Sequence, residues 1–317
     1  DVPFPVRIRY HISYIISELV FFGNRYILYP ILEYLYKTKE TSIMKRKLFC
    51  QISPTTYRIS VQKCRCMRHL RDWTSGKTFA AEKSDEPLPM LIYRHKSLIR
   101  RKLGNVHMDL QENKAVNLSL AAPKVTGILI RPGETFSFWH LVGSLSPKKG
   151  YLEGLAISNG EPKRGTGGGM CQFTNLIHWM ILHTPLQIVE HHHHDGLDLF
   201  PDFNRQIPFG TGTSIVYNYL DYRFYNPTDA TYQLIVYVTD KYLCGELRAD
   251  KTQEYTYHIL SEDEHFVEEN GIVYRCGEVY RRIIDPKTGN CIEKQLIRSN
   301  HARVLYDTSH LTITSRS

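Results

Sequence analysis

"RGTGGGMCQFTNLIHW", residues 164–179, is the stretch from which the fold of this chain can be worked out. On a helical wheel, residues 171–182 separate into two faces. The apolar face carries the i, i+3, i+4, i+7 stripe of a core-packed helix and consists of Phe173, Leu176, Ile177, Met180 and Ile181. The opposite face consists of Cys171, Asn175, His178 and Leu182. The stretch predicts a buried helix with a thiol in its first turn.

The position of Cys171 favours a nucleophile. Unpaired N–H groups and the positive end of the helix dipole gather at a helix N-terminus, and this environment lowers a thiol pKa. Gly167, Gly168 and Gly169 permit positive φ and close approach of a substrate, and their amides are potential oxyanion donors. The alternative is a structural cysteine, buried after a flexible loop.

A second unusual segment is "EHHHHDG", residues 190–196. In an extended chain His192 and His194 share one face, and His191 and His193 share the other. Two imidazoles on one face could activate the thiol or bind a divalent metal. A polar loop is the third interpretation.

The sequences before and after the central helix have different residue patterns. Residues 64–73 and 93–103 are basic with roughly helical spacing, and residues 95–104 read as a surface helix that ends at Gly104. Strand-like segments alternate polar and apolar residues or are rich in β-branched and aromatic residues; they occur in residues 124–139, 214–226, 231–240 and 252–313. The sequence "PKTGNC" predicts a hairpin turn. We predict an α+β fold: a helical N-terminal region, a central helix with the cysteine at its N-terminus, and an antiparallel β-rich C-terminal half.

The predicted organisation has four parts. Residues 1–43 form an upstream extension or a membrane-surface segment, since charged residues and Pro30 interrupt their apolar runs. Residues 44–120 form a basic helical region. Residues 121–247 form the core domain, and residues 248–317 are a β-hairpin region packed on it.

The amino-acid composition limits the kinds of binding partner and cofactor that we expect. The net charge of +8 favours polyanions or acidic envelopes, but the chain has no zinc-finger spacing, helix-turn-helix signature or ribonucleoprotein motif, so we expect no nucleic acid partner. Seven scattered cysteines argue against a disulfide framework and favour a reducing, cytoplasmic location, with membrane association left open. Cys64 and Cys66 lack a partner pair, so we expect no metal there and no cofactor.

Five motifs in this order resemble the VanW family of bacterial proteins, which is associated with vancomycin resistance. They are "RPGETFSFWHLVG", "GYLEGLAISNG", "GGGMCQ", "EHHHHD" and "YLDYRFYN", and the likeness covers roughly residues 90–240. Membrane-anchored members of the family act as L,D-transpeptidases on peptidoglycan. The resemblance therefore implies acyl transfer to and from a cysteine.

The resemblance also implies site residues. Cys171 would attack the tetrapeptide donor, with His192 and His194 as base and orienter. Gly167, Gly168, Gly169 and Gln172 would shape the oxyanion site, and Arg205 would hold the substrate carboxylate. His191 and Asp195 stand where the family often has arginine and serine, and "PFGTGTSI" lacks an Arg-Asp pair of longer members, so substrate recognition is expected to differ.

Two other functions remain open at this point. The chain could bind a peptidoglycan peptide or precursor, as an accessory protein of a resistance cluster, without chemistry. It could also be a metal-dependent hydrolase that uses His191–His194, with Glu190 and Asp195 as neighbouring acids.

Overall fold

A computed structural model describes residues 48–100, 108–158, 161–193, 196–199, 201, 207–217 and 219–315. It separates into two compact units, Asp1–Lys63 and Cys64–Ser317. The predicted extension at residues 1–43, and the site candidates His194 and Arg205, lie outside the described residues.

The described helices are α1 (Pro54–Thr74), α2 (Asp109–Val125), α3 (Phe138–Val142) and α4 (Met170–Ile181), with 3-10 turns at Phe49–Gln51 and Pro147–Lys149. α1 begins with proline after Ser53, whose hydroxyl accepts the Thr56 N–H at 3.2 Å. No described helix is long and apolar enough to cross a membrane.

Strands make up most of the second unit. The first nine are β1 (Thr78–Phe79), β2 (Met90–Leu98), β3 (Ile128–Ile130), β4 (Glu134–Ser137), β5 (Glu153–Ser158), β6 (Glu161–Thr166), β7 (Gln187–Glu190), β8 (Leu197–Asp198) and β9 (Arg223–Tyr225). The rest are β10 (Tyr232–Val238), β11 (Tyr242–Ala249), β12 (Thr256–Glu269), β13 (Ile272–Ile284), β14 (Cys291–Val304) and β15 (Ile313–Ser315). The α+β class and the β-rich C-terminal half are confirmed.

One sheet has the order β2-β11-β10-β3 and supports the central helix. Helix α4 packs on β2 and β11, and α2 packs on β10. The contact with α4 is close, because a Cβ added at Gly245 would lie 2.7 Å from the Met180 methyl carbon. The predicted apolar face of α4 is confirmed, since all five of its residues are buried in the main core.

A second sheet, β1-β4-β9-β7, adjoins the histidine run, and β5 pairs with β6 as a hairpin before α4. The C-terminal sheet has the order β15-β12-β13-β14-β8, and its long antiparallel strands β12–β14 match the predicted hairpin region. The "PKTGNC" turn joins β13 to β14 as predicted.

The predicted surface helix at residues 95–104 is wrong as far as the structure describes it. Residues 95–98 belong to β2, which pairs antiparallel with β11. The burial there alternates, with Arg94 and Lys96 exposed and His95 and Ser97 half-buried. A period of two fits a strand with one covered face, and the partner β11 comes from about 150 residues further along the chain.

Candidate active site around Cys171

Helix α4 begins where the sequence predicted. Gly169 is its N-cap with a φ of 107°, and Met170 and Cys171 follow in the first turn. The carbonyl of Gly169 accepts the Phe173 N–H at 3.1 Å. A left-handed N-cap requires glycine here, because a side chain is strained at this φ and its Cβ would lie 2.6 Å from Lys114.

The three glycines before Cys171 are packed against neighbouring chain. A Cβ at Gly168 would lie 2.6 Å from the Gly154 Cα, and one at Gly167 would lie 2.4 Å from the Leu145 Cδ1. The Asn117 side-chain amide donates to the Gly168 carbonyl at 3.0 Å. These glycines therefore have a packing role, whereas the predicted oxyanion role stays a prediction.

The side chain of Gln172 is hydrogen-bonded to strand β2. Its side-chain Nε2 donates to the Ser97 hydroxyl at 2.8 Å and to the Leu98 carbonyl at 2.9 Å. Both acceptors belong to β2. Gln172 thus ties the first turn of α4 to the sheet.

Residues 211–215 form a strap across the polar face of α4. The Thr213 N–H donates to the Asn175 Oδ1 at 2.6 Å, and the Thr213 hydroxyl reaches the same oxygen at 2.8 Å. A further hydrogen bond joins the hydroxyls of Thr213 and Thr174. The face of α4 that carries Cys171 is thereby covered by a segment about 40 residues away in sequence.

The thiol of Cys171 is half-buried and packs against the main core beside the strap. Burial raises the pKa of this thiol, while the backbone N–H groups of Ile215 and of Cys171 itself act in the opposite direction. The prediction of a lowered thiol pKa is therefore wrong for this conformation. Desolvation outweighs the N–H groups, because it disfavours the thiolate wherever water is excluded.

Two members of the histidine run, His191 and His193, lie near helix α4. The His191 ring stacks on His178 with centroids 4.4 Å apart, and its Nε2 donates to the Gly212 carbonyl at 2.8 Å. Gly212 lies close to both His193 and Asn175, since a Cβ added there would be 3.4 Å from His193 Nε2 and 3.9 Å from Asn175 Oδ1. Asn175 is one helical turn from Cys171.

His192 faces the other way, as alternation predicts. Its Nε2 donates to the Glu190 carboxylate at 3.0 Å, and its backbone carbonyl accepts the Ser214 N–H at 2.7 Å. Among the described residues no hydrogen bond joins the His192 ring to Cys171. The structure therefore brings His191 and His193 to the thiol-bearing helix and His192 to Glu190.

The metal alternative finds no assembled site in the part of the chain that the structure describes. No group of three or more His, Cys, Asp or Glu side chains there is arranged to hold an ion. His194 and Asp195 fall outside these residues.

Comparison with known proteins identifies the relationship of this chain. A family model described as "VanW like protein" matches residues 113–248. The chain is also 35% identical over 231 residues to the vancomycin B-type resistance protein VanW of Enterococcus faecalis, covering 73% of this chain and 84% of the relative. The chain belongs to the VanW family.

A second relative of the VanW domain is the uncharacterized protein YoaR of Bacillus subtilis. It is 30% identical over 118 residues, which is 36% of each chain. No solved structure matches the chain.

The VanW-family motif "YLDYRFYN" forms a buried ion network that sequence reasoning did not assign. Asp221, almost fully buried, accepts from the Ser137 hydroxyl at 2.5 Å and from Arg223 Nε at 2.8 Å. The Arg223 guanidinium also forms a two-bond pair with Asp72 of α1, at 2.6 and 2.8 Å. The signal was the i, i+2 spacing of opposite charges at the start of a strand-like run.

Glu190 joins this network to the histidine run. Its carboxylate forms a two-bond ion pair with Arg68 of α1 and accepts the Asp221 N–H at 2.8 Å. Burial by itself raises the pKa of Glu190, but these hydrogen bonds and the one from His192 lower it to about 2. The ion pair with Arg68 and the hydrogen bond from Asp221 thus hold Glu190, the last residue of β7, in place at the start of the histidine run.

Proposed function

We propose that this chain acts in peptidoglycan metabolism connected with vancomycin resistance, by cysteine-dependent acyl transfer on stem peptides or their precursors. Family membership and the name of the enterococcal relative support the biological context. The observation that carries the chemistry is the position of Cys171. Its side chain lies in the first turn of α4, where the backbone N–H groups of Cys171 and Ile215 lower the pKa of the thiol against the effect of burial.

The two N–H groups suit a nucleophile and the charge that its attack creates. They stabilise a thiolate while it forms, and the same first turn provides donors for the oxyanion of a tetrahedral intermediate. The strap opposes this by burying the sulfur. The proposal therefore includes an outward movement of residues 211–215 when a substrate enters, which frees the thiol from desolvation.

We assign the base to His193, because its ring lies near Gly212 of the strap, as does Asn175, which is one helical turn from Cys171. His193 takes the thiol proton, and the sulfur adds to the carbonyl carbon of a stem-peptide amide. The C–N bond breaks, the amine leaves with that proton, and a thioester remains on Cys171. An amine of a second stem peptide then attacks the thioester, forms the new amide and returns the proton to the sulfur.

Intact-protein mass spectrometry tests this proposal directly. After incubation with a peptidoglycan tetrapeptide, we expect a mass increase equal to the tetrapeptide minus its leaving amino acid. Peptide mapping should place the adduct on Cys171. Cys171→Ser should abolish the thioester, whereas Cys244→Ser, which removes a half-buried strand thiol, should retain it.

The same assay separates the histidines. His193→Ala should reduce adduct formation at least about 100-fold, the usual contribution of a general base. His192→Ala and His194→Ala are matched changes in the same run. If either of these abolishes the adduct and His193→Ala does not, the assignment of the base is wrong.

A binding function without chemistry is the second candidate, and the raised pKa of the covered thiol favours it. In that case calorimetry should show that the tetrapeptide binds the wild type and Cys171→Ser equally, with no adduct at any pH up to 9.

A further inference from the structure

A cavity of about 690 Å³ lies between the end of α4 with β7 and the sheet strands β12–β14. Apolar side chains such as Leu186, Ile188 and Ile283 form part of its wall. Leu296 at its margin is 53% exposed, so the cavity communicates with solvent. His178 also lines it and follows Cys171 by seven residues on α4, which places the cavity about 10 Å along the helix from the thiol.

The cavity contains an arginine with neutral partners. The Arg281 guanidinium donates from Nε and Nη2 to the Gln295 Oε1, at 2.9 and 2.5 Å, and from Nη1 to the Thr184 carbonyl at 3.3 Å. Its face lies over the Tyr257 ring at 5.4 Å. No described carboxylate is within ion-pair distance of it, and Glu293 acts on it only at longer range.

This arrangement leaves hydrogen-bond donors on the Arg281 guanidinium that can bind a ligand. The three hydrogen bonds leave one N–H on each terminal nitrogen of Arg281. Burial lowers the pKa of Arg281, as expected for a cation that water solvates poorly. The side chain nevertheless remains charged at neutral pH, since arginine is not deprotonated in proteins.

A buried imidazole supplies a second polar group. His178 is 1% exposed, and its Nδ1 is 3.1 Å from the Tyr222 hydroxyl. Its Nε2 has no hydrogen-bond partner in the described part of the chain. Burial, followed by His191 and His193, holds the pKa of His178 well below its ordinary value, so the ring is neutral at pH 7.

We propose that this cavity binds an organic carboxylate with an aliphatic body. The carboxylate pairs with the free N–H groups of Arg281, whose planar fork matches two carboxylate oxygens. The aliphatic part packs on Leu186, Ile188 and Ile283. His178 is neutral and adds no second positive charge, so a monoanion fits better than inorganic phosphate. The site is separate from the thiol and does not depend on its chemistry.

Calorimetry on the full chain tests the ligand class, with sodium hexanoate as the probe in a buffer free of carboxylates and phosphate. We expect saturable binding of hexanoate at one site. The uncharged match 1-hexanol and inorganic phosphate should each bind at least about tenfold more weakly. Equal binding of hexanol, or tighter binding of phosphate, would overturn the proposal.

Two adjacent arginines provide matched variants. Arg281→Gln should weaken hexanoate binding at least about tenfold, whereas Arg282→Gln, which changes an exposed arginine paired with Glu262, should leave it unchanged. Thermal unfolding checks that both variants fold. Equal loss in both variants, or no loss in Arg281→Gln, contradicts the assignment.

A readout on the wild type does not depend on any variant. In histidine-labelled protein, hexanoate should shift the NMR signals of His178 and leave those of His301, on β14 beside Tyr274, in place. Unshifted His178 signals at saturating hexanoate would place the ligand elsewhere. Cys171→Ser should bind hexanoate normally, so failure here is distinguishable from failure of the acyl-transfer proposal.

Discussion

Asn175 Oδ1 accepts both the backbone N–H and the hydroxyl of Thr213, at 2.6 and 2.8 Å. These two bonds hold the strap of residues 211–215 over the face of α4 that carries Cys171. The strap also includes Ile215, whose backbone N–H lowers the pKa of Cys171 against the effect of burial, so Asn175 holds in place a segment that acts on the thiol.

We predict that Asn175→Ala makes Cys171 more reactive. The strap loses both acceptor bonds, water reaches the sulfur, and the raised pKa of Cys171 falls towards its ordinary value. Iodoacetamide labelling followed by mass spectrometry at several pH values should show faster labelling of Cys171 near pH 7.5. Asn113→Ala, which removes a half-buried asparagine of α2 whose amide donates to the Glu153 carbonyl, is the control and should leave the rate unchanged. Slower labelling in Asn175→Ala would mean that the strap activates the thiol.

In the wild type, exposed cysteines should react before Cys171. The thiols of Cys64, Cys66 and Cys291 are exposed, whereas burial raises the pKa of Cys171. Limited labelling at pH 7.5 should modify these three first. Labelling of Cys171 ahead of all of them would show that the strap opens readily in solution.

Stability should decrease in acid because of Glu190. Its pKa is lowered to about 2 in the folded chain, so its contribution is complete above the unfolded value near 4.3 and is lost as the pH falls towards 2. The shift corresponds to about 3 kcal/mol at most. Urea unfolding at pH 3 and pH 5 should show part of this loss in the wild type and a smaller difference in Glu190→Gln. Glu112→Gln, at an exposed ion pair with Arg100, should behave like the wild type.

His183 should affect stability in a different pH range from Glu190. Burial is the largest cause that lowers its pKa to about 4, and its ring stacks on Tyr93 at 3.9 Å. A lowered histidine pKa favours the neutral folded state, so stability from this site is present above about pH 6.5 and decreases as the pH falls through 4. An NMR titration should give His183 a pKa near 4. His183→Phe should reduce the loss of stability between pH 6.5 and 4, whereas His301→Phe should not.

Gly168→Ala should destabilise the fold by about 1–3 kcal/mol or more, because the new Cβ would overlap the Gly154 backbone. Gly76→Ala is the matched control: its Cβ meets open space, and only the strain of a positive φ remains, about 1 kcal/mol. Chemical denaturation compares the two. A neutral effect of Gly168→Ala would show that the glycines are not close-packed and would favour their role in substrate access.

Local periodicity accounts for the parts of the fold that the sequence predicted correctly. The stripe of α4, the start of this helix near Cys171 and the β13–β14 turn depend on neighbouring residues, so the pattern contains the information. The expected alternation is observed for His191 and His192, which face opposite ways, whereas His194 lies outside the described residues. The error at residues 95–98 arose where a strand depends on β11, which is distant in sequence.

The sequence by itself determined a thiol in the first turn of a core-packed helix, a histidine run beyond it and membership of a recognisable family. Only the tertiary structure decided the environment of these groups. Burial in the folded chain raises the pKa of Cys171, and Arg68 and Asp221 fix Glu190, whose carboxylate accepts from His192. The physical reason is that a residue's helical face follows from short-range geometry, whereas desolvation and ion pairing depend on segments that meet only when the chain is folded.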